Sequence, residues 1–168
     1  RVRSSAASDV YKRQSKSGIV VKGINDMAVR FSKCCNPVPG DEIVGFVTRG
    51  RGMSIHRTDC VNVINLSAAE RSRLITAEWE DPGDTEEGGQ YLAELKLYAD
   101  DRRGLLLDIT KVFTEEKIDV KSMNTRTSKK GTATMDMGFI VHGREELNRV
   151  IKKLRQIENV IDIERTTG

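Results

Sequence analysis

The segment RFSKCCNPVPGDEIVGFVTRGRGMSIHRTDC, residues 30–60, decides how the first half of this chain folds and where its chemistry is expected. It contains all three cysteines of the chain and one of the two histidines. Prolines and a glycine at 37–40 interrupt it, and Gly50 and Gly52 bracket Arg51 in a turn where glycine tolerates a positive φ. The pattern predicts a glycine hairpin that carries arginines.

Short apolar runs around this segment predict a small α+β module over residues 17–80, near the lower size limit for an independent core. A short helix over residues 61–64 is expected to be capped by Thr58 or Asp59. The expected strands cover residues 19–21, 27–31, 43–47, 53–55 and 74–79.

An acidic, glycine-rich linker at 81–90 separates this module from residues 91–168, where apolar positions recur with strand or helix periodicity. The expected elements are, in order, a strand at 91–99, a helix at 105–113, strands at 118–127 and 133–141, a helix at 144–158 and a strand at 159–166. This β-α-β-β-α-β order is ferredoxin-like, so the predicted fold class is α+β.

Charge and composition restrict the class of protein. The net charge is +3, but residues 1–33 carry eight basic and two acidic residues, whereas residues 68–90 carry two basic and seven acidic ones, which is typical of a solvated linker. No apolar run approaches the roughly 18 to 20 residues of a membrane span. Three cysteines, two of them adjacent, do not fit a disulfide framework. We expect a cytoplasmic protein without membrane contact, whose residues 1–16 are a non-native or disordered leader.

Cys34, Cys35, His56 and Cys60 are candidate ligands for a soft metal such as zinc. A long hairpin between Cys35 and His56 would bring the two halves of the set together. Against this, adjacent cysteines point to opposite faces of an extended chain, and familiar zinc sites place about two to four residues between cysteines. The alternatives are buried thiols that pack beside a turn, and a cysteine nucleophile, for which no orienting group is evident.

Arg49, Arg51 and Arg57 surround the glycine hairpin and are candidate contacts for RNA phosphates, the alternative being a solvated loop. The ferredoxin-like order also occurs in RNA-recognition motifs, but Phe139 is one aromatic residue where base stacking needs more. Gly104 lies at a strand-to-helix junction, where backbone N–H groups can approach a carboxylate or the glycine simply permits a turn.

Sequence motifs of catalysis are absent. The chain has no Gly-x-x-x-x-Gly-Lys-[Ser/Thr] loop, no His–Asp pair and no paired carboxylates on a recognisable scaffold. Neither His56 nor His142 has an evident base partner. We therefore predict no catalytic residues and no turnover.

Several stretches resemble the C-terminal region of long RelA/SpoT-type guanosine tetra- and pentaphosphate synthetase/hydrolases. They are INDM at 24–27, FSKCCNPVPGD at 31–41, GFVTRGRG at 45–52, SIHRTDC at 54–60, DRRGLL at 101–106 and NTRT at 124–127. The resemblance covers about residues 17–168. It implies a cysteine-containing domain over 17–80, called zinc-finger-like or ribosome-intersubunit, followed by an ACT domain over 91–168.

In such proteins the N-terminal half holds the hydrolase and synthetase sites, and the C-terminal half regulates them and contacts ribosomal RNA. The resemblance therefore implies a regulatory chain whose partners are the ribosome and its own N-terminal catalytic domains, which are missing here. The residues that match the family's characteristic positions are Cys34, Cys35, His56, Asp59 and Cys60.

The resemblance also implies an amino-acid site. Asp101, Gly104, Leu105, Leu106 and Asn124 match places where ACT domains bind amino acids at a dimer interface, and branched-chain amino acids and a homodimer are the expectations. The alternative function is accordingly an amino-acid-sensing ACT dimer. A third class of function is metal or redox switching, in which the three cysteine thiols would bind the metal or be oxidised.

Overall fold

A computed structural model describes residues 19–21, 27–50, 52–80 and 89–166. The chain divides into two compact units. The first contains the described residues up to Pro37 and from Asp41 to Gly89, and the second consists of Val38–Gly40 and Gln90–Thr166. The predicted leader, Arg51 and most of the predicted linker lie outside the described residues.

The first unit is built on a five-stranded sheet in the order β1-β5-β3-β4-β2. Its β2–β4 pair is parallel, and its β1–β5, β3–β4 and β3–β5 pairs are antiparallel. The elements are β1 (Ile19–Val21), β2 (Val29–Phe31), β3 (Ile43–Thr48), β4 (Gly52–Arg57), α1 (Val61–Ile64), α2 (Ala68–Arg71) and β5 (Leu74–Trp79).

The β3–β4 hairpin is the central feature of this sheet. Its register pairs Thr48 with Gly52, and β4 then lies between β3 and the short strand β2. Met53 and Ile55 of β4 are fully buried and form the core together with Ile19, Ile43 and Ala77. The hairpin is therefore anchored by a central strand while its tip, at Arg49 and Gly50, is exposed.

The two short helices differ from the sequence prediction. The N-cap residue of α1 is Cys60, without a side-chain capping bond, so the expected cap by Thr58 or Asp59 is wrong. Helix α2 was not predicted, and it begins with a capping box in which Ser67 and Glu70 satisfy each other's backbone N–H groups.

The second unit is a four-stranded antiparallel sheet in the order β7-β8-β6-β9. Its elements are β6 (Tyr91–Asp100), α3 (Leu105–Glu115), β7 (Val120–Thr127), β8 (Thr132–Val141), α4 (Arg144–Arg155) and β9 (Val160–Arg165). This order and sequence of elements confirm the predicted ferredoxin-like α+β fold.

The buried positions of β6 alternate, and those of β8 do so except at Gly138, as the period-2 pattern predicted, and one sheet face packs against both helices. Phe113 of α3 contacts Phe139 of β8 with ring centroids 5.0 Å apart. Helix α4 carries acidic residues in its first turn and basic residues in its last, the arrangement that its dipole favours. Among the described helices of both units, none is long and apolar enough to cross a bilayer.

Candidate functional site

The four predicted metal ligands come together in the first unit. The ligand atoms of Cys34, Cys35, His56 and Cys60 all lie within 4.8 Å of one another, and we call this group the thiol cluster. The Cys34 Sγ atom is 3.4 Å from His56 Nδ1 and 3.5 Å from Cys60 Sγ. Three elements contribute: the loop after β2, strand β4, and the residue that precedes α1.

A tight turn allows the adjacent cysteines to share one site. The Asn36 N–H donates to the Ser32 carbonyl at 3.1 Å, and Asn36 has a positive φ of 43°. In an extended chain, Cys34 and Cys35 would point to opposite faces, but a turn removes that alternation. The objection to a shared metal site that rested on their adjacency is therefore wrong.

Burial sets the protonation states in the cluster. It lowers the pKa of His56, so the imidazole is neutral near pH 7, and its Nε2 atom lies 3.1 Å from the Ser54 hydroxyl. Burial raises the pKa of Cys35 to about 12, and burial followed by the hydrogen bond with Cys34 raises the pKa of Cys60.

Cys34 differs from the other two thiols. Burial acts to raise its pKa, but hydrogen bonds from Ser32, Asn62, Cys60 and Cys35 together outweigh that effect and lower it. The Ser32 hydroxyl lies 2.9 Å from the Cys34 Sγ atom. Cys34 is therefore the thiol that ionises first.

This donor set fits a metal ion. Three cysteine sulfurs and one neutral imidazole within mutual reach form a Cys₃His set, one of the tetrahedral combinations that hold structural zinc. A cation would stabilise the thiolates that burial disfavours. The cluster can hold a metal, and it is closed by buried Cys35 and Cys60 in the manner of a structural site.

The predicted RNA contacts occupy different environments. Arg49 is exposed at the hairpin tip, and Arg51 lies outside the described residues. Arg57 is buried: its guanidinium pairs with Asp59 and donates to the Cys35 carbonyl at 3.4 Å, while its backbone N–H donates to Cys35 Sγ at 3.3 Å. Arg57 thus braces the thiol cluster and does not face a surface that an RNA phosphate would reach.

The predicted amino-acid site lies around the start of α3 in the second unit. Gly104 is the N-cap residue with φ 81°, and open space surrounds the position of a Cβ atom apart from the Arg102 guanidinium at 3.9 Å. Leu105 is fully buried in the core, whereas Leu106 is 47% exposed. Asp101 donates its backbone N–H to the Gly131 carbonyl at 2.7 Å.

Asn124 is not brought to this loop within one chain. It pairs with Asp136, which pairs in turn with Lys96, so Asn124 stands two strands away from β6. Asp101 follows Lys96 by five positions, about 17 Å along the strand, and two strand spacings add about 10 Å across the sheet. One amino-acid ligand cannot contact Asp101 and Asn124 of the same chain.

Sequence reasoning missed a groove beside Arg49. It has a volume of about 470 Å³ and is lined by Phe46, Thr48, Arg49, Ala69, Glu70 and Arg73. The Arg73 guanidinium lies over the Phe46 ring, 4.7 Å from its centroid. The Ser67-x-x-Glu70 capping-box pattern was the signal from which α2, one wall of this groove, was predictable.

Comparison with known proteins finds a matching domain family for each of the two units. Residues 19–80 match the RelA/SpoT RIS domain, and residues 87–165 match the ACT domain. Relatives named GTP pyrophosphokinase include those of Streptomyces coelicolor, 40% identical over 90% of this chain and 17% of the relative, and Escherichia coli K12, 39% identical over 89% and 20%. The Haemophilus influenzae protein of that name is 37% identical over 96% and 21%.

A solved ACT domain from GTP pyrophosphokinase of Chlorobium tepidum is 23% identical, with a TM-score of 0.42, and covers 46% of this chain and 99% of that one. The chain spans about a fifth of the length of these GTP pyrophosphokinase relatives. The two matched domains follow one another over most of the sequence, so the chain carries a RelA/SpoT RIS domain followed by an ACT domain.

Proposed function

We propose that this chain is a stringent-response regulatory region that docks on ribosomal RNA through its first unit and controls catalytic domains elsewhere in a longer protein. The observation that carries the proposal is the exposed Arg49 at the tip of a hairpin whose base is fixed by the thiol cluster. An arginine on an anchored hairpin is suited to the phosphate backbone, because little ordering of the main chain remains to be done on binding.

The thiol cluster supports docking by fixing the hairpin. His56 lies on β4, directly after the fully buried Ile55, and Cys60 lies three residues beyond the strand. A zinc ion held by the Cys₃His set would tie the loop after β2 to the end of β4, and would supply structural stability. We expect zinc to be the metal in a reducing cytoplasm, where the thiols remain available.

We place the catalytic domains elsewhere in a longer protein. This is supported by relatives that are named GTP pyrophosphokinase and are about five times the length of this chain. The chain itself offers groups that suit binding. They are exposed cations, a closed cysteine–histidine cluster that could hold a metal, and a ferredoxin-like unit. We infer that binding of this region to the ribosome controls the activity of those catalytic domains.

Ribosome co-sedimentation tests the proposal. The chain is expected to sediment with ribosomes, and Arg49→Glu to weaken binding with a reduced dependence on salt, because one phosphate contact is replaced by repulsion. Arg155→Glu, an exposed arginine on α4, makes the same charge change away from the hairpin and is the matched control. Equal effects of the two variants would assign the binding to net charge and refute docking by the hairpin.

A second candidate function is amino-acid sensing by an ACT dimer, with valine or isoleucine as ligand. The observation in its favour is the open, positive-φ Gly104 beside exposed Leu106 and Leu107, which are 47% and 71% exposed. The separation of Asp101 from Asn124 requires that a ligand touching both residues bridge two chains. We therefore propose that ligand binding and dimer formation are coupled.

Titration calorimetry tests this second function. Valine or isoleucine is expected to release or absorb heat with the intact chain, and Gly104→Asp is expected to abolish the signal, because its carboxylate repels the ligand carboxylate. Sedimentation measured with and without ligand would show the coupled dimer. Absence of heat with all branched-chain amino acids would remove this candidate and leave the docking function intact.

A further inference from the structure

The groove beside Arg49 has the composition of a base-binding site. It is a surface groove, open to solvent, with a volume of about 470 Å³. One wall is the end of β3 with Phe46 and Thr48, and the other is α2 and the turn that follows it, with Glu70 and Arg73. A planar aromatic ring, two guanidinium groups and a carboxylate therefore line one concave surface.

The Arg73 guanidinium lies over the Phe46 ring. Its guanidinium carbon lies 4.7 Å from the ring centroid, within the distance of a cation–π contact. A guanidinium group is planar and stacks on flat rings, and RNA-binding proteins stack unpaired bases on aromatic rings and on arginine planes. Because Arg73 also lines the groove, a base that enters can stack on the Arg73 guanidinium, which Phe46 supports from the other side.

Glu70 supplies an acceptor in the same groove. Its Oε2 atom accepts from the Ser67 hydroxyl at 2.9 Å and from the Ser67 backbone N–H at 3.2 Å. These bonds, followed by the charges of Arg73 and Arg49, lower the pKa of Glu70 and keep it ionised. An ionised carboxylate only accepts hydrogen bonds, so it selects a base edge that donates.

We propose that the groove receives one unstacked guanine of the bound RNA, stacked on the Arg73 guanidinium that lies over Phe46, with its N2 amino group donating to the Oε1 atom of Glu70. Guanine is the RNA base that presents an amino group at C2, and both bonds from Ser67 end on Oε2 of Glu70, so Oε1 is the oxygen that would accept from it. Arg49 at the mouth of the groove contacts the neighbouring phosphate. This inference rests on the proposed RNA docking and adds a base preference to it.

Fluorescence anisotropy with short labelled RNAs tests the inference on the full chain. The probes are an oligouridine of about ten nucleotides, the same oligomer with one central guanosine, and the same oligomer with inosine there, which lacks the 2-amino group. The guanosine oligomer is expected to bind most tightly and the oligouridine least. Phe46→Leu retains apolar bulk but not the aromatic support of the stack, and is expected to weaken binding of the guanosine oligomer by roughly 5- to 150-fold, the effect of losing a base stack.

Two conservative variants test the other groups. Arg73→Lys keeps the charge but loses the plane, so it should weaken the guanosine oligomer while leaving the oligouridine nearly unchanged. Glu70→Gln preserves a capping box, since glutamine serves at that position, but it should abolish the difference between guanosine and inosine. Thermal unfolding of each variant confirms that the first unit is folded.

The outcomes separate this inference from the docking proposal. Equal binding of the guanosine and inosine oligomers, or an affinity for the guanosine oligomer that Phe46→Leu leaves unchanged, overturns the base site. If Arg49→Glu still weakens all oligomers in that case, the docking proposal stands alone. If the wild-type chain binds none of the RNAs and no ribosomes, both fail.

Discussion

Gly52 is predicted to be far less tolerant of alanine than Gly50, although both glycines have positive φ angles, 88° and 76°. A Cβ atom on Gly50 would meet no atom within 4 Å, so Gly50→Ala carries only the left-handed backbone penalty of about 1–2 kcal/mol. A Cβ atom on Gly52 would lie 2.3 Å from the backbone oxygen of Ala28, and that contact cannot be relieved by a side-chain rotation.

The additional loss at Gly52 follows from what the Ala28 carbonyl does. It accepts a hydrogen bond from the Met53 N–H at 2.8 Å, at the start of the parallel β2–β4 pair. Displacing it removes that bond, about 1 kcal/mol, and moves β2. Gly52→Ala is therefore expected to destabilise the first unit by about 2–3 kcal/mol, against about 1–2 kcal/mol for Gly50→Ala.

Urea unfolding followed by tryptophan fluorescence measures this difference. Trp79 is the single tryptophan of the chain and stacks on Phe31 of β2, with ring centroids 5.7 Å apart. Its emission therefore reports on the strand that Gly52→Ala would displace. Equal losses of unfolding free energy for the two variants would refute the close approach of Gly52 to Ala28, and with it the anchored hairpin.

Three further predictions concern the thiol cluster and α2. Purified chain should carry about one zinc ion by elemental analysis, and Cys35→Ser should lose it; full stability of Cys35→Ser in chelator would exclude a structural metal. In metal-free protein, burial lowers the pKa of His56 below its ordinary 6.5, so the unfolded state binds the proton first. The unfolding free energy should thus decrease as the pH falls from about 7 to about 5, and His56→Asn should flatten this dependence in urea titrations at several pH values. Ser67→Ala removes the hydroxyl that accepts from the Glu70 N–H at 3.3 Å, and should cost about 1 kcal/mol in the same Trp79 assay; no loss would show that the capping box is energetically silent.

Periodicity was sufficient to predict the second unit because its strands and helices bury one face each. Residues such as Leu95, Leu97 and Met135 alternate with less buried neighbours along β6 and β8, and the buried positions of α4 recur at helical spacing. The order of strands and helices along the chain then allowed only a few sheet topologies. The predicted ferredoxin-like topology is confirmed.

The first unit was harder to predict because its elements are short and β4 is buried on both faces. Met53, Ser54 and Ile55 are all buried in succession, so no alternation distinguishes an inward from an outward side. A parallel pair between β2 and β4 leaves no local mark in the sequence, since its partners are separated by more than twenty residues. The thiols lie together because the chain turns between Ser32 and Asn36. The adjacency of Cys34 and Cys35 in the sequence did not reveal this turn.

Arg57 illustrates why residue type and spacing were insufficient to assign the arginines of the hairpin. Arg49 and Arg57 stand at opposite ends of the β3–β4 hairpin, and the register places Arg57 opposite Ile43, which is buried. A guanidinium at such a position must be paired, because an uncompensated buried charge is strongly destabilising. Asp59 supplies the partner, and the Cys35 carbonyl takes another of the donors. The same arginine therefore links the turn that carries the cysteines to the strand that carries His56, so the geometry of the thiol cluster and the orientation of the hairpin tip are set by one connected group of residues.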